Sequence, residues 1–532
     1  MAASRPPVAL VLDPGHGGRS ATDWELAPAD LRALLRSGKL LRHVGRHPSA
    51  RLLVDDIDGL SPPKAILASR LFTTGPARIE DRAGRTVDLD AGALLRLVGA
   101  WARDLARAPQ VLKEARRAVA ALEAALRQPR TTPRFDRSAG VLFLRTDLCR
   151  RMTAGGSLAH LAGVLNELQH LCGGVDLLTS DPIPLLDPAI RPHVVKPERR
   201  TWGNAELHRF NLNRPLAEAA ARLARPGRLI YQRYSIENWT GAALSRRAGL
   251  PFILEYNGSE IWVARNWGSP LRYEDLAARI ELANLRAADL VTVVSEPLRQ
   301  ELLARGIPDE RILMNPNGVD PERFAPNDGG DWVRARHGLG GRLVIGFIGT
   351  FGPWHGVEVL AEAFATLLER RADLRERVRL LLIGDGERLP AVRDILARHQ
   401  RLPETVMTGL VPQADGPEHL AACNILVVPT VPNADGTPFF GSPTKLFECM
   451  AVGRAIAATP VGQVADILDD GRTALLTPPS DADALARALE RLVDDPALRA
   501  SLGQAARAAV LQKHTWRQHV ARVLERFEGL SM

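Results

Sequence analysis

A lysine and a glutamate three residues apart, Lys445 and Glu448, follow a Gly-Ser-Pro turn in the stretch GSPTKLFECMAVGRAIAATP, residues 441–460. On a helix that spacing puts both on one face. The start of such a helix, at Ser442, Pro443 and Thr444, would offer unpaired N–H groups and a positive dipole end, a suitable seat for a diphosphate. Lys445 adds a full charge, and Glu448 can accept hydrogen bonds from paired ribose hydroxyls. A surface ion pair is the ordinary alternative. Gly155-Gly156-Ser157 stands between a β-rich run and a helical one, where glycine admits a ligand close to the backbone and Ser157 can cap the helix. His160 lies one turn further on, a position that packing alone would also explain. Arg233 and Tyr234 in YQRYS, and Glu255, Asn257 and Glu260 in LEYNGSE, close short β-rich runs. Polar residues at such ends face the ligand crevice of a parallel sheet. A tight turn is the alternative for Asn257-Gly258.

These residues need a scaffold that brings strand ends together. From residue 138 the chain alternates β-rich and helical runs. Strands are expected at 140–145, 229–232, 251–255 and 290–294, then at 343–348, 378–383 and 425–428, with an amphipathic helix over 157–168. That rhythm implies parallel sheets with right-handed crossovers. Two in tandem predict an α/β protein with two Rossmann-like domains, 138–338 and 341–512, facing a cleft. A final helix over 516–527, within 513–532, has Val520, Val523, Leu524 and Phe527 on one face and needs a surface to cover. Residues 1–135 form a separate block, α/β or α-rich. It has strands at 8–12 and 52–54, a helix over 94–130 broken near Pro109, and a Pro-marked linker at 128–134.

The stretch 441–460 resembles the nucleotide-sugar signature of the retaining glycosyltransferases of family 4, which have the two-domain GT-B fold. The form SPxKLFE-x-MAxG is similar to that of bacterial polysaccharide-assembly enzymes. The resemblance implies that Lys445 binds the donor diphosphate, with Leu446 beside it, and that Glu448 holds the ribose. The family's other acidic position falls at Phe440, so the usual contact to donor-sugar hydroxyls is missing and the backbone of 439–442 would hold the sugar. Four further stretches follow in the family's order. Asn317-Gly318-Val319-Asp320 with Phe324 resembles the exit from the first domain. Gly349-Thr350 to His355-Gly356 resembles the loop touching the donor phosphates; His355 replaces the usual basic residue, so its charge would depend on pH. Gly384-Asp385-Gly386 resembles the family's GDG turn, and Leu410 and Val411 in GLVP resemble the segment that meets the base. Gly155 and Gly156 would lie beneath the donor phosphates. His160, Arg233, Tyr234, Glu255 and Asn257 would stand on the acceptor side, and Asn257 takes a place near the reacting carbon where many relatives carry histidine.

What the resemblance implies is transfer of a sugar from a nucleoside-diphosphate sugar to a glycan or lipid-linked acceptor with retention, as in bacterial surface polysaccharide synthesis. No metal or cofactor would be required. The last helix would cross back to the acceptor-side domain. A sugar-nucleotide epimerase on the same fold would need acidic and histidine groups that these stretches lack. An inactive sugar-nucleotide-binding partner or sensor is the alternative that Phe440 leaves open.

The bulk composition fits this reading. The chain has 532 residues, 45% hydrophobic and 24% charged, with net charge +8, which suits a multidomain globular protein attracted to anionic ligands. Four cysteines, Cys149, Cys172, Cys423 and Cys449, show neither zinc nor disulfide spacing, so a reducing cytoplasm is expected. No apolar run is long enough for a signal peptide or a membrane span. The basic, Leu-bearing helical end of block 1–135 suggests peripheral contact with the anionic inner face of a membrane, or packing on a protein surface; no nucleic-acid partner is expected. Asp13 to Gly18 resembles the opening of zinc-dependent cell-wall amidases, but Glu25, His43 and His47 lack the matching spacing and strand context.

Overall fold

The computed structural model describes residues 5–12, 20, 22–26, 28–54, 57, 63–81, 84–147, 154–196, 205–326 and 329–530. The amidase-like run 13–18 and Cys149 lie outside them. The chain divides into two compact units. One consists mainly of residues 1–123 and 195–218; the other holds nearly all the rest. The excursion at 195–218 falls inside the segment that alternation assigns to the first Rossmann-like domain.

The N-terminal unit contains a five-stranded sheet in the order Trp24–Leu26, Val8–Val11, Ala50–Val54, Ala77–Asp81, Thr86–Asp88. Only the last pairing is antiparallel. Val8, Leu10, Leu52, Val54, Phe72 and Ile79 form its core. The helix expected to break at Pro109 is continuous over Ala91–Leu126. Proline removes one hydrogen bond and frees the carbonyl four residues back; here Leu105 and Pro109 are both exposed, so water can take that carbonyl. His43 and His47 stack beside Trp24 in this unit.

The larger unit carries two sheets, each all-parallel. The first has seven strands, in the order Arg191–Val194, Val175–Thr179, Val141–Arg145, Leu229–Arg233, Phe252–Tyr256, Leu290–Val293, Ile312–Met314. The second has six, in the order Thr405–Gly409, Val378–Ile383, Leu343–Ile348, Ile425–Val428, Ala455–Ala458, Leu475–Leu476. Both sheets run outward from their first strand and then reverse, the Rossmann order, and ligands bind at that reversal beyond the carboxyl ends. The three runs expected at 343–348, 378–383 and 425–428 have those bounds. Their near-continuous Val, Ile and Leu content reflects strands covered on both faces.

Helix Gly156–Leu171 follows the first strand of the first sheet and buries Leu158, Leu161, Val164, Leu165 and Leu168 at helical spacing. Helix Thr444–Ala451 follows the fourth strand of the second. The chain passes between the halves twice, and the two crossings pair: Val319 N–H donates to His514 O and Trp516 N–H to Val319 O, at 2.9 and 3.1 Å. Helix Trp516–Leu530 then packs Val520, Val523, Leu524 and Phe527 into the core of the first half, the covering role its apolar face requires.

Candidate active site

A cavity of about 650 Å³ lies where the two reversal points face each other. Its size suits a ligand of nucleotide-sugar dimensions. Helix Thr444–Ala451 has no side-chain cap, so its first amides remain available. Across from it, helix Gly156–Leu171 starts at Gly155, again with no side-chain cap. Ser157 therefore does not cap this helix; it lines the cavity. The two helix starts approach so closely that a Cβ on Gly156 would stand 2.6 Å from Thr444 Oγ1. Two positive dipole ends thus meet at one point, an arrangement suited to an anion of more than one charge.

Lys445 completes it. Its Nζ is buried with no hydrogen-bond partner and lies 4.3 Å from the centre of the Phe347 ring. Among the described residues no ion pair joins it to Glu448, so the surface-pair alternative does not apply. Gly349 lies beneath it and lets Nζ settle against the backbone; a Cβ there would stand 2.5 Å from Nζ and displace it. Burial pushes the Lys445 ammonium down to about 7, with Cys449 and Glu448 opposing. Glu448, 7% exposed, is pushed up to about 7 by burial, with Arg323 and Lys445 opposing. The cavity wall thus holds a buried amine with no hydrogen-bond partner and a buried carboxyl beside it, groups that the phosphates and ribose of a nucleoside diphosphate would complement.

His355 is a different case from the expected pH-dependent cation. Burial, then the neighbouring Lys445, hold it well below the ordinary histidine range, so it is neutral. Its Nδ1 accepts from Gly352 N–H at 3.0 Å, which leaves the proton on Nε2 as a donor.

On the opposite wall stand Arg233 and Asn257. Both are held by Glu255, whose Oε1 accepts from Arg233 at 2.8 Å and from Asn257 Nδ2 at 2.6 Å. His160 Nε2 lies 2.8 Å from the same oxygen. Burial would raise the Glu255 carboxyl; His160, Arg233 and Asn257 outweigh it and keep the group ionised well below the usual range.

The cavity wall collects Gly155, Gly156, His160, Arg233, Asn257, Gly349, Thr350, His355, Gly384, Leu410, Val411, Ser442, Pro443, Thr444, Lys445 and Glu448. Five expected site residues do not reach it. Asp385 and Gly386 turn back, with Asp385 Oδ1 accepting from Gly386 N–H. Leu446 is fully buried in the second half's core, because on the helix it points opposite the cavity. Tyr234 is buried beside Tyr256. Glu255 sits behind Arg233 and Asn257.

Several wall residues escape a reading by motif. Phe440, where the family's acid would stand, packs its ring on Trp262 and Trp267 of the first half, and Trp354 stacks on Trp267 with ring centres 4.2 Å apart. Gln413 Oε1 accepts from Gly155 N–H at 2.8 Å, and Asn317 binds Ser442. Asn317, Trp354 and Gln413 lie in or beside the family-like stretches, the only signal they carry; Trp262 and Trp267 carry none.

Two facing Rossmann halves with a dipole-and-lysine anion seat and a buried carboxyl beside it suit a protein that binds a nucleotide sugar. Comparison with known proteins agrees. The family described as Glycosyltransferase Family 4 matches residues 154–323, and Glycosyl transferases group 1 matches 342–495. A GDP-mannose-dependent alpha-(1-6)-phosphatidylinositol monomannoside mannosyltransferase from Mycolicibacterium smegmatis is 28% identical, covering 60% of this chain and 83% of that protein. A D-inositol 3-phosphate glycosyltransferase from Streptomyces scabiei is 30% identical over 57% and 68%. Among solved structures, sucrose-phosphate synthase from Thermosynechococcus elongatus superposes with TM-score 0.58 at 21% identity, covering 74% of this chain and 98% of the other. Anabaena HepE, in complex with UDP and glucose, gives 0.56 at 19%, covering 72% and 98%; both share the GT-B fold. The chain belongs to glycosyltransferase family 4 and is a transferase that uses nucleotide sugars.

Proposed function

We infer that the protein transfers a hexose or related sugar with retention of anomeric configuration, without a metal ion, to a glycan or lipid-linked acceptor in the assembly of bacterial surface glycans. The observation that carries this reading is Glu255. Glu448 is the sole carboxylate among the described residues lining the cavity, and it lies beside Lys445 at the diphosphate end. The carboxylate behind Arg233 and Asn257 on the acceptor wall is Glu255, spent on His160, Arg233 and Asn257 and held so acidic that it is a poor base. An inverting displacement needs a base opposite the leaving group. A same-face displacement needs none, because the departing phosphate can take the acceptor proton.

As the anomeric C–O bond breaks, negative charge grows on the diphosphate and meets Lys445, the His355 Nε2–H and the two helix starts. These donors are already in place, which is the condition for a large electrostatic effect. Glu448 orients the nucleoside through its ribose. The wall of Trp267, Trp354 and Phe440 excludes water from the reacting sugar and limits hydrolysis.

The reading is tested by incubating the protein with UDP-glucose and GDP-mannose and an acceptor panel that includes inositol phosphate and phosphatidylinositol, in the presence of EDTA. The expected result is release of nucleoside diphosphate with an α-linked product from an α-donor. A β-linked product, or activity abolished by EDTA and restored by a divalent metal, would sink it.

Peripheral attachment to the cytoplasmic face of a membrane is part of the reading. Among the described residues no helix is long and apolar enough to cross a membrane. In the N-terminal unit, however, helix Ala91–Leu126 exposes Leu95, Val98, Trp101 and Leu105, apolar side chains that a lipid surface would cover. Flotation with anionic vesicles should be reduced roughly tenfold by Trp101→Glu with Leu105→Glu; unchanged flotation would refute the attachment.

A further inference from the structure

One chain of buried polar side chains runs along the cavity wall from the diphosphate seat to the acceptor wall. At one end is Ser442, two residues before helix Thr444–Ala451. Its Oγ accepts from Asn317 N–H at 3.0 Å, its carbonyl accepts from Asn317 Nδ2 at 2.6 Å, and its hydroxyl donates to Gln463 Oε1. Gln463 Nε2 is in turn bound to Val294 O in the first half. With its amide nitrogen committed to Ser442, Asn317 can present only Oδ1 to His160, and Nδ1 of that ring lies 2.7 Å away. An acceptor there requires a proton on His160 Nδ1. The other ring nitrogen stands 2.8 Å from Glu255 Oε1, a charge contact that is attractive when that nitrogen carries a proton as well; the same oxygen also holds Arg233 and Asn257. Trp516 and His519 of the returning helix close over the His160 ring. Ser442, Asn317, His160 and Glu255 are 9, 6, 2 and 2% exposed, so each is held by its protein partners.

A buried polar joint contributes no more stability than an apolar one of the same shape, but it fixes one arrangement, because each half-made alternative strands a donor or acceptor. We propose that Asn317 and His160 are positioning residues of the transfer: through them the Ser442 turn that opens the diphosphate-binding helix sets the place of Glu255, and with it of Arg233 and Asn257 on the acceptor wall. This rests on the nucleotide-sugar reading above. Neither side chain takes part in the bond exchange; they hold the two half-sites in one register.

The relay makes a prediction that a local structural role does not. His160→Gln, altered at the acceptor end, should weaken binding of UDP or GDP about fivefold to tenfold, and Asn317→Ala should do so about tenfold. The double variant should be no weaker than Asn317→Ala alone, because the link is already cut. Calorimetric titration of the full chain with either nucleotide gives all four constants, with melting temperatures measured in parallel. Should Asn317→Ala fail to fold, the cycle of His160→Gln with Ser442→Ala reads the same link. Effects that multiply, or a His160→Gln protein that binds nucleotide as the unaltered one does, would overturn the relay alone. Absence of nucleotide binding by the unaltered protein would overturn the relay and the reading beneath it together.

Discussion

Replacing Lys445 with methionine is expected to lower kcat with a nucleotide-sugar donor by about a hundredfold to a thousandfold, roughly 3–4 kcal/mol of transition-state stabilisation, while making the empty protein more resistant to unfolding at pH 6. The two effects share one cause. In the empty cavity the ammonium is buried beside Phe347 with no hydrogen-bond partner, and its folded-state value is pushed down to about 7. An unfolded lysine titrates near 10.4. Below pH 7 the side chain is charged in both states and the full burial cost is present. As pH rises from about 7 towards 10 the folded protein sheds the proton first, so this contribution to stability increases with pH. At pH 6 the cost is on the order of 3 kcal/mol after allowance for partial exposure. Methionine removes the charge and roughly keeps the volume. Urea unfolding at pH 6 and initial-rate kinetics check the two halves. A methionine variant that is less stable and equally active would place Lys445 in packing instead of the site.

The same residue gives donor binding a pH signature. A diphosphate beside Nζ favours the charged form, so above about pH 7 binding must draw a proton from solvent, and affinity should fall as pH rises. Calorimetry in buffers of differing ionisation enthalpy reads that uptake directly.

Glu448→Ala is expected to weaken donor or nucleotide binding by about tenfold to a hundredfold, the worth of one or two hydrogen bonds to a charged group at about 1.5–3 kcal/mol, with no loss of stability at pH 8. The sign follows from the shift. Burial raises the folded-state value of Glu448 to about 7, above the unfolded value near 4.3. Its charged form is therefore disfavoured in the fold, and the cost appears as pH rises from about 4 to 7 and is complete above that. Removing the carboxylate removes the cost. Affinity for UDP and GDP by titration, beside a melting curve at pH 8, separates a ligand contact from a structural one. Unchanged nucleotide affinity would count heavily against the site. Because Lys445 and Glu448 titrate in the same region with opposite charge requirements, donor affinity should peak near neutral pH.

Both groups are costly in the fold without a ligand, the cost expected where stability is traded for activity. The cost is sustained by the all-parallel sheets on either side, whose central strands, such as Val141–Arg145, Phe252–Tyr256 and Ile425–Val428, are buried throughout.

The local code was strong enough to be read in sequence wherever one stretch of chain does the whole job. The strands at 343–348, 378–383 and 425–428, the apolar face of the last helix, and the turn, Lys445 and Glu448 of 441–460 are each continuous. Their burial period, turn residues and helix-start chemistry suffice. The N-terminal sheet was mostly hidden: Trp24–Leu26 and Thr86–Asp88 are three-residue strands, too short for a period to show. Pro109 misled because a proline's effect depends on whether the carbonyl it frees meets water. What tertiary structure alone decided is the pairing of distant groups. Phe440 packs against Trp262 and Trp267, Asn317 turns its amide towards Ser442 and His160, and Glu255 withdraws behind Arg233 and Asn257. Burial sets the charge states of His355, Lys445 and Glu448. The Phe440 and Asn317 contacts join residues more than a hundred positions apart, and desolvation is a property of the packed surroundings, so neither is carried by the identity of a residue and its immediate neighbours.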